Sequence, residues 1–159
     1  MITGNQNSHD DTPPLINGIS DLLDRGGYQG LLLDLFGLLH NGVETYPGVI
    51  ECLRELRRRG IAVCLISNTP KRASESVKDL AEKGIDEDLY DALMTAGEST
   101  YQALTQPPDE FHRACRGTVR FIATAPFDHL IDGLGLKRSD DITGSDFILN
   151  AVPGTQKSD

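Results

Sequence analysis

Two short, continuous apolar runs that each end in a polar residue, "GLLLD" over 30–34 and "IAVCLIS" over 61–67, limit what this chain can fold into more than any other feature. Neither alternates apolar with polar residues, so both read as buried strands of a parallel sheet rather than as surface strands. Parallel neighbours need a crossover. Between the runs Val49, Leu53 and Leu56 recur at helical spacing, after Pro47 and before a stop at Gly60. A further helix is expected over "NTPKRASESVKDLAEKG", with Thr69 as N-cap, Pro70 at the first helical position and Gly84 beyond the end. "YDALMTAG" reads as a third, weaker strand, and "ESTYQALTQ" as a helix closed by Pro107 and Pro108. Upstream, Ile16, Ile19, Leu22 and Leu23 share one helical face. The alternation predicts an α/β, Rossmann-like fold with a parallel sheet and helices on both faces. Beyond the prolines it restarts, with "TVRFIAT" as strand, "FDHLIDGLGL" as helix and "SDFILNAV" as strand, so Pro107-Pro108 marks the expected boundary.

A length of 159 residues suits one domain with a core, or one domain and the beginning of another. The net charge of −9 argues against nucleic acid or an anionic membrane as partner. The basic stretch "RELRRRG" reads as a solvated face late in a helix, where cations complement the dipole. Three cysteines without CxxC spacing signal neither a disulfide framework nor a zinc site, and a reducing cytoplasm is the expected home. Residues 1–14 have neither the basic region nor the apolar core of a signal peptide and read as a loose tail, and no apolar run is long enough to span a bilayer.

Functional groups of open α/β sheets gather at the carboxyl ends of the strands. The first run ends in Asp34 and the second in Ser67, beside Asn68 and the expected helix start at Thr69. A carboxylate, a hydroxyl and a helix N-terminus on one rim suit phosphate and a divalent cation. Gly37 would let the chain turn sharply after the acid. The plainer alternative is that Asp34 is a solvated loop residue or an N-cap and Ser67 only a cap. His40 could line the site or be a polar turn residue; His9, His112 and His129 show no metal-ligand spacing.

The tract "DLFGLLHNG" followed by "YPG", then "LISNTPKRA", then "MTAGES", resembles the first two motifs of the haloacid dehalogenase-like phosphohydrolases, in their C2-capped class IIA branch. The resemblance implies that 15–106 form the first part of that core and 107–159 the start of an α/β cap. It implies that Asp34 is the nucleophile and a magnesium ligand, that the Phe36 backbone carbonyl is the second protein ligand, and that Ser67 and Asn68 hold the phosphoryl group of a small phosphorylated metabolite. Phe36 stands where most catalytic members carry a second aspartate, and a phenyl ring can neither donate nor accept the proton. The family's later motifs, a basic residue and an acidic pair, follow its cap, whereas this sequence ends at Asp159; Asp141 and Asp146, with Lys137 before them, imitate the pair's spacing without an apolar strand to carry it. The expectation is therefore a magnesium-dependent phosphatase of weak or incomplete activity, whose uncovered strand edges favour self-association. Two rivals stand beside it: a non-catalytic protein keeping the pocket for a phosphometabolite or a subunit interface, and a flavodoxin-like or receiver-like domain.

Overall fold

The computed structural model describes residues 15–151; the tail at 1–14 and the end of the chain from 152 lie outside the described residues. Strands β1 (Gly30–Asp34), β2 (Ala62–Ser67) and β3 (Ala92–Thr95) form a parallel sheet in the order β1-β2-β3. Helix α1 (Ile19–Asp24) precedes β1, α2 (Val49–Arg58) and α3 (Ala73–Ala81) are the crossovers, and α4 (Ala96–Thr105) follows β3 directly. The apolar runs become strands as expected, and the α/β class holds.

The core lies on one face of this sheet. Val63 and Leu65 of β2 are fully buried against Leu53 and Leu56 of α2, Leu80 of α3, and Leu35, Ile85 and Leu89 from loops, with Leu31, Leu33 and Leu93 packed around them. The other face carries Leu32, Ile66 and Met94, which are 71%, 39% and 39% exposed. The arginines of α2 form the solvated, ion-paired surface expected of them: Arg58 and Arg59 meet Glu55, Arg59 reaches Asp24, and Arg57 pairs with Asp91.

After the short α5 (Glu110–Ala114), β4 (Thr118–Ile122), β5 (Lys137–Arg138) and β6 (Phe147–Asn150) make a second parallel sheet, in the order β5-β4-β6. His129 joins the two parts, its Nε2 lying 3.2 Å from Glu75 Oε2 at the start of α3. Among the described residues no helix is long and apolar enough to cross a membrane.

Three local expectations are corrected. Helix α3 begins at Ala73, with Arg72 as its N-cap, because the carbonyls of Thr69 and Lys71 are bonded to the β3–α4 junction; the Glu75 carboxylate accepts from the Arg72 N–H at 3.0 Å and completes the cap. The stretch expected as a helix around "FDHLIDGLGL" is a 3-10 turn over Ala125–Ile131, followed by Gly133 and Gly135 at φ 78° and 68°, which turn the chain before an α-helical ladder can extend. Leu15 and Ile16 precede α1 and are exposed, since the Asn17 N–H bonds to Asp21 Oδ2 and starts the helix later than the apolar spacing implied.

Candidate functional site

The parallel register decides which residues meet at the rim. Asp34 lies opposite Ile66 and Ser67 opposite Thr95, so Asp34 and Ser67 end neighbouring strands one step apart. Asp34 is exposed; its Oδ1 accepts from the Leu35 N–H at 2.8 Å, and its other oxygen makes no hydrogen bond among the described residues. The chain then folds back on itself. Gly37, at φ 85°, donates its N–H to the His40 carbonyl at 2.9 Å, while Leu39 and His40 both donate to the Leu35 carbonyl. Bridges Phe36–His40 and His40–Thr45 hold this turn as a miniature ladder. Phe36, 66% exposed, stands edge-on to the His40 ring with centroids 6.3 Å apart.

His40 is half-buried, and its Nδ1 accepts from the Gly42 N–H at 3.0 Å. Burial pushes its pKa below the ordinary histidine value and Lys83 adds to this, while Asp79 and Asp34 act in the opposite sense.

The second wall follows β2. Ser67 Oγ accepts from the Thr69 N–H at 3.2 Å. Beyond it, 69–72 are clasped to the β3–α4 junction: the Gly97 N–H donates to the Thr69 carbonyl at 3.1 Å, and buried Thr95 donates its hydroxyl to the Lys71 carbonyl at 2.6 Å. Thr95 Oγ1 also accepts from the Glu98 N–H, capping α4. Arg72 grips the Glu98 carboxylate with two nitrogens, at 2.7 and 3.3 Å, and lies 3.4 Å over the Tyr101 ring. The guanidinium holds the Glu98 carboxyl below the usual range, against the opposing effect of burial. A glycine is required at 97: a Cβ there would lie 1.9 Å from the Pro70 carbonyl oxygen.

Two recesses open at this rim. One, of about 580 Å³, is bordered by Asp34, Ser67, Asn68, Thr95 and Ser99. The other, a cleft of about 710 Å³, lies between the first sheet and the second part of the chain; Phe36, His40, Lys71, Lys83, Tyr101 and Leu130 are among its walls. Ser67 and Asn68 border both. The structure thus brings Asp34, Ser67 and Asn68 together and turns Phe36 toward the cleft. Sequence reasoning missed Lys71 and Lys83, which meet at Asp79 through an ion pair and a 3.1 Å bond to its carbonyl. It also missed the clasp, of which "MTAGES" was the visible half.

Among the described residues there is no group of three or more His, Cys, Asp or Glu side chains that could cage a metal. Magnesium does not need one: it keeps several waters and takes one or two carboxylates with phosphate oxygens. The second Asp34 oxygen and the Phe36 carbonyl, neither of which accepts a hydrogen bond among the described residues, fit that limited role. Asp141 and Asp146 do not border the Asp34 recess. Asp141 closes a turn with Thr143 and is held below its usual carboxylate range by that hydroxyl, while Asp146 accepts from the Thr118 N–H at 2.7 Å.

A family model described as haloacid dehalogenase-like hydrolase matches residues 31–137. Human chronophin is 35% identical over 96 residues, which are 57% of this chain and 32% of that protein; bovine chronophin is 35% identical over 89 residues. The chain spans about a third of the length of these curated relatives. Among solved structures, a haloacid dehalogenase-like hydrolase from Brucella suis 1330 superposes with a TM-score of 0.68 at 22% identity, over 87% of this chain and 49% of that one. A glycerol phosphate phosphatase from Mycobacterium tuberculosis, in complex with magnesium, does so with a TM-score of 0.55 at 18% identity, over 80% and 37%. At these identities the likeness is one of fold.

Proposed function

Because the chain belongs to the haloacid dehalogenase-like hydrolases, we propose that the rim of its first sheet is a phosphoryl-transfer site for a small phosphorylated metabolite, with Asp34 as nucleophile and Ser67 and Asn68 as the phosphate cradle. The observation that carries this reading is the shared recess, where a strand-end carboxylate, hydroxyl and amide border one open space. An Asp34 oxygen attacks phosphorus, the bond to the ester oxygen breaks, and the leaving oxygen takes its proton from water. Water then attacks the phosphorus of the aspartyl-phosphate, freeing Asp34 and orthophosphate. Ser67 and Asn68 donate hydrogen bonds to the phosphoryl oxygens throughout. Asp34 and the Phe36 carbonyl would hold a magnesium ion, which when bound would supply positive charge against those oxygens. Phe36 cannot move a proton, and the loss of that assistance slows turnover by about 10² to 10⁴. On this reading 15–106 are the first part of the catalytic core and 107–159 the start of a cap, and the protein works in a reducing cytoplasm that suits its free thiols, Cys52, Cys64 and Cys115.

The test is coupled binding. Magnesium and beryllium fluoride should each tighten the other's binding, and Asp34→Asn should abolish the coupling. An Asp34→Asn protein that keeps both ligands with unchanged affinity would sink the assignment.

Among the described residues bordering the Asp34 recess Asp34 is the only carboxylate, and this favours one alternative, a site that binds a phosphorylated metabolite without hydrolysing it. Phe36→Asp separates the two. A gain in phosphate-ester hydrolysis marks an enzyme limited by its missing acid; a folded, ligand-binding variant with no gain marks a binding protein.

A further inference from the structure

We propose that His40 is a ligand-contacting residue of this site, presenting the Nε2–H of a neutral imidazole to an oxygen of the bound phosphoryl group or its ester. The inference deepens the phosphate-site reading and rests on it. The geometry that carries it is a hydrogen bond whose direction is unambiguous. A backbone N–H can only donate, so the His40 Nδ1 that faces Gly42 at 3.0 Å must be the unprotonated nitrogen. The ring proton therefore sits on Nε2, on the opposite side of the ring.

That nitrogen has no hydrogen-bond partner among the described residues, and His40 borders the larger cleft, which meets the Asp34 recess at Ser67 and Asn68. Its placement is fixed rather than incidental. The Phe36–His40 and His40–Thr45 bridges hold its backbone, and the Phe36 ring stands against its edge. Protonating the imidazole would set an Nδ1–H against the Gly42 N–H, so the turn itself disfavours the charged form.

Neutral histidine is a recognised electrophilic donor: it polarises an oxygen without releasing a proton. Here it stands four residues after Phe36, on the turn where the phenyl ring itself offers no hydrogen bond to a ligand. It does not replace the acid. It supplies a fixed dipole where negative charge collects, which a ring at Phe36 cannot.

The tautomer and the contact are both read by NMR on the chain labelled with nitrogen-15 in histidine and backbone amides, with His40 assigned through its contacts to the Phe36 ring. In the free protein, Nδ1 should show the shift of an unprotonated nitrogen and Nε2 that of a protonated one. Addition of magnesium with beryllium fluoride should move the Nε2 signal together with the Ser67 and Asn68 amides. His40→Phe, which keeps a ring against Phe36, should weaken the fluoride complex about 10-fold, the loss expected of one hydrogen bond to an anion.

An Nδ1–H tautomer would overturn the proposal without needing any variant. So would Ser67 and Asn68 amides that respond while His40 does not, a result that leaves the phosphate site standing. If none of the three responds, the phosphate site falls and this role falls with it.

Discussion

Gly97→Ala is the sharpest perturbation the structure offers, because it adds one methyl group and nothing else. That methyl would lie 1.9 Å from the Pro70 carbonyl oxygen and 2.6 Å from that of Lys71, both backbone atoms with no flexible end to swing away. Bringing the first contact to 3.0 Å requires the loop and the start of α4 to part by about 1.1 Å. The Gly97–Thr69 bond, now 3.1 Å, and the Thr95–Lys71 bond, now 2.6 Å, cannot survive an opening of that size. Overpacking costs about 1–3 kcal/mol and each lost hydrogen bond about 1 kcal/mol, so the variant should lose about 3–5 kcal/mol. Tm should fall by on the order of 10 °C or more. Gly144→Ala is the control, since a Cβ there meets only the Asp141 carboxylate, at 3.4 Å. Thermal melting by circular dichroism reads both. A Gly97→Ala protein melting within about 2 °C of the parent would refute the clasp, and with it the claim that α4 positions the loop bearing Ser67 and Asn68.

Glu98→Gln tests the same clasp by pH: the depressed Glu98 pKa gives the parent stability that is present above the ordinary carboxylate range and is lost as pH falls through the folded value, so the gap in Tm between parent and variant should be wide at pH 7 and close toward pH 3. Tyr90→Phe should be neutral or stabilising by up to about 1 kcal/mol in urea unfolding, because the Tyr90 hydroxyl is buried with no hydrogen-bond partner among the described residues; a loss above that would reveal a partner for it. Leu32→Lys places a charge on the exposed face of the first sheet and should lower any self-association seen by light scattering while changing Tm little; unchanged association would assign it to another surface.

What the sequence disclosed is what depends on neighbours along the chain. The runs ending at Asp34 and Ser67 announce buried strands because burial on a sheet demands apolar side chains in succession, and Leu53 and Leu56 announce α2 because a helix repeats its buried face. The rim followed from those strand ends. The start of α3 did not, because Pro70 is an ordinary first helical residue until the Gly97 N–H and the Thr95 hydroxyl claim the carbonyls on either side of it. Arg72 meets Glu98 across 26 residues, a separation at which no periodicity operates. The exposed face of Leu32, Ile66 and Met94 was equally hidden: an apolar run states that a strand can be buried on both sides, not that both sides are covered.

The clasp also sets an order of events during synthesis. The segment from Gly30 to Ser67 leaves the ribosome before Thr95, Gly97 and Glu98 exist, and until they do the carbonyls of Thr69 and Lys71 have no donor to hold them. The first two strands can pair as soon as they emerge, yet the wall beside Ser67 acquires its shape only when the third strand docks and α4 starts. The shape of the recess beside Asp34 is therefore a late acquisition of the growing chain, and a ribosome stalled before Thr95 would display Asp34 without the wall that Thr95 and Ser99 complete.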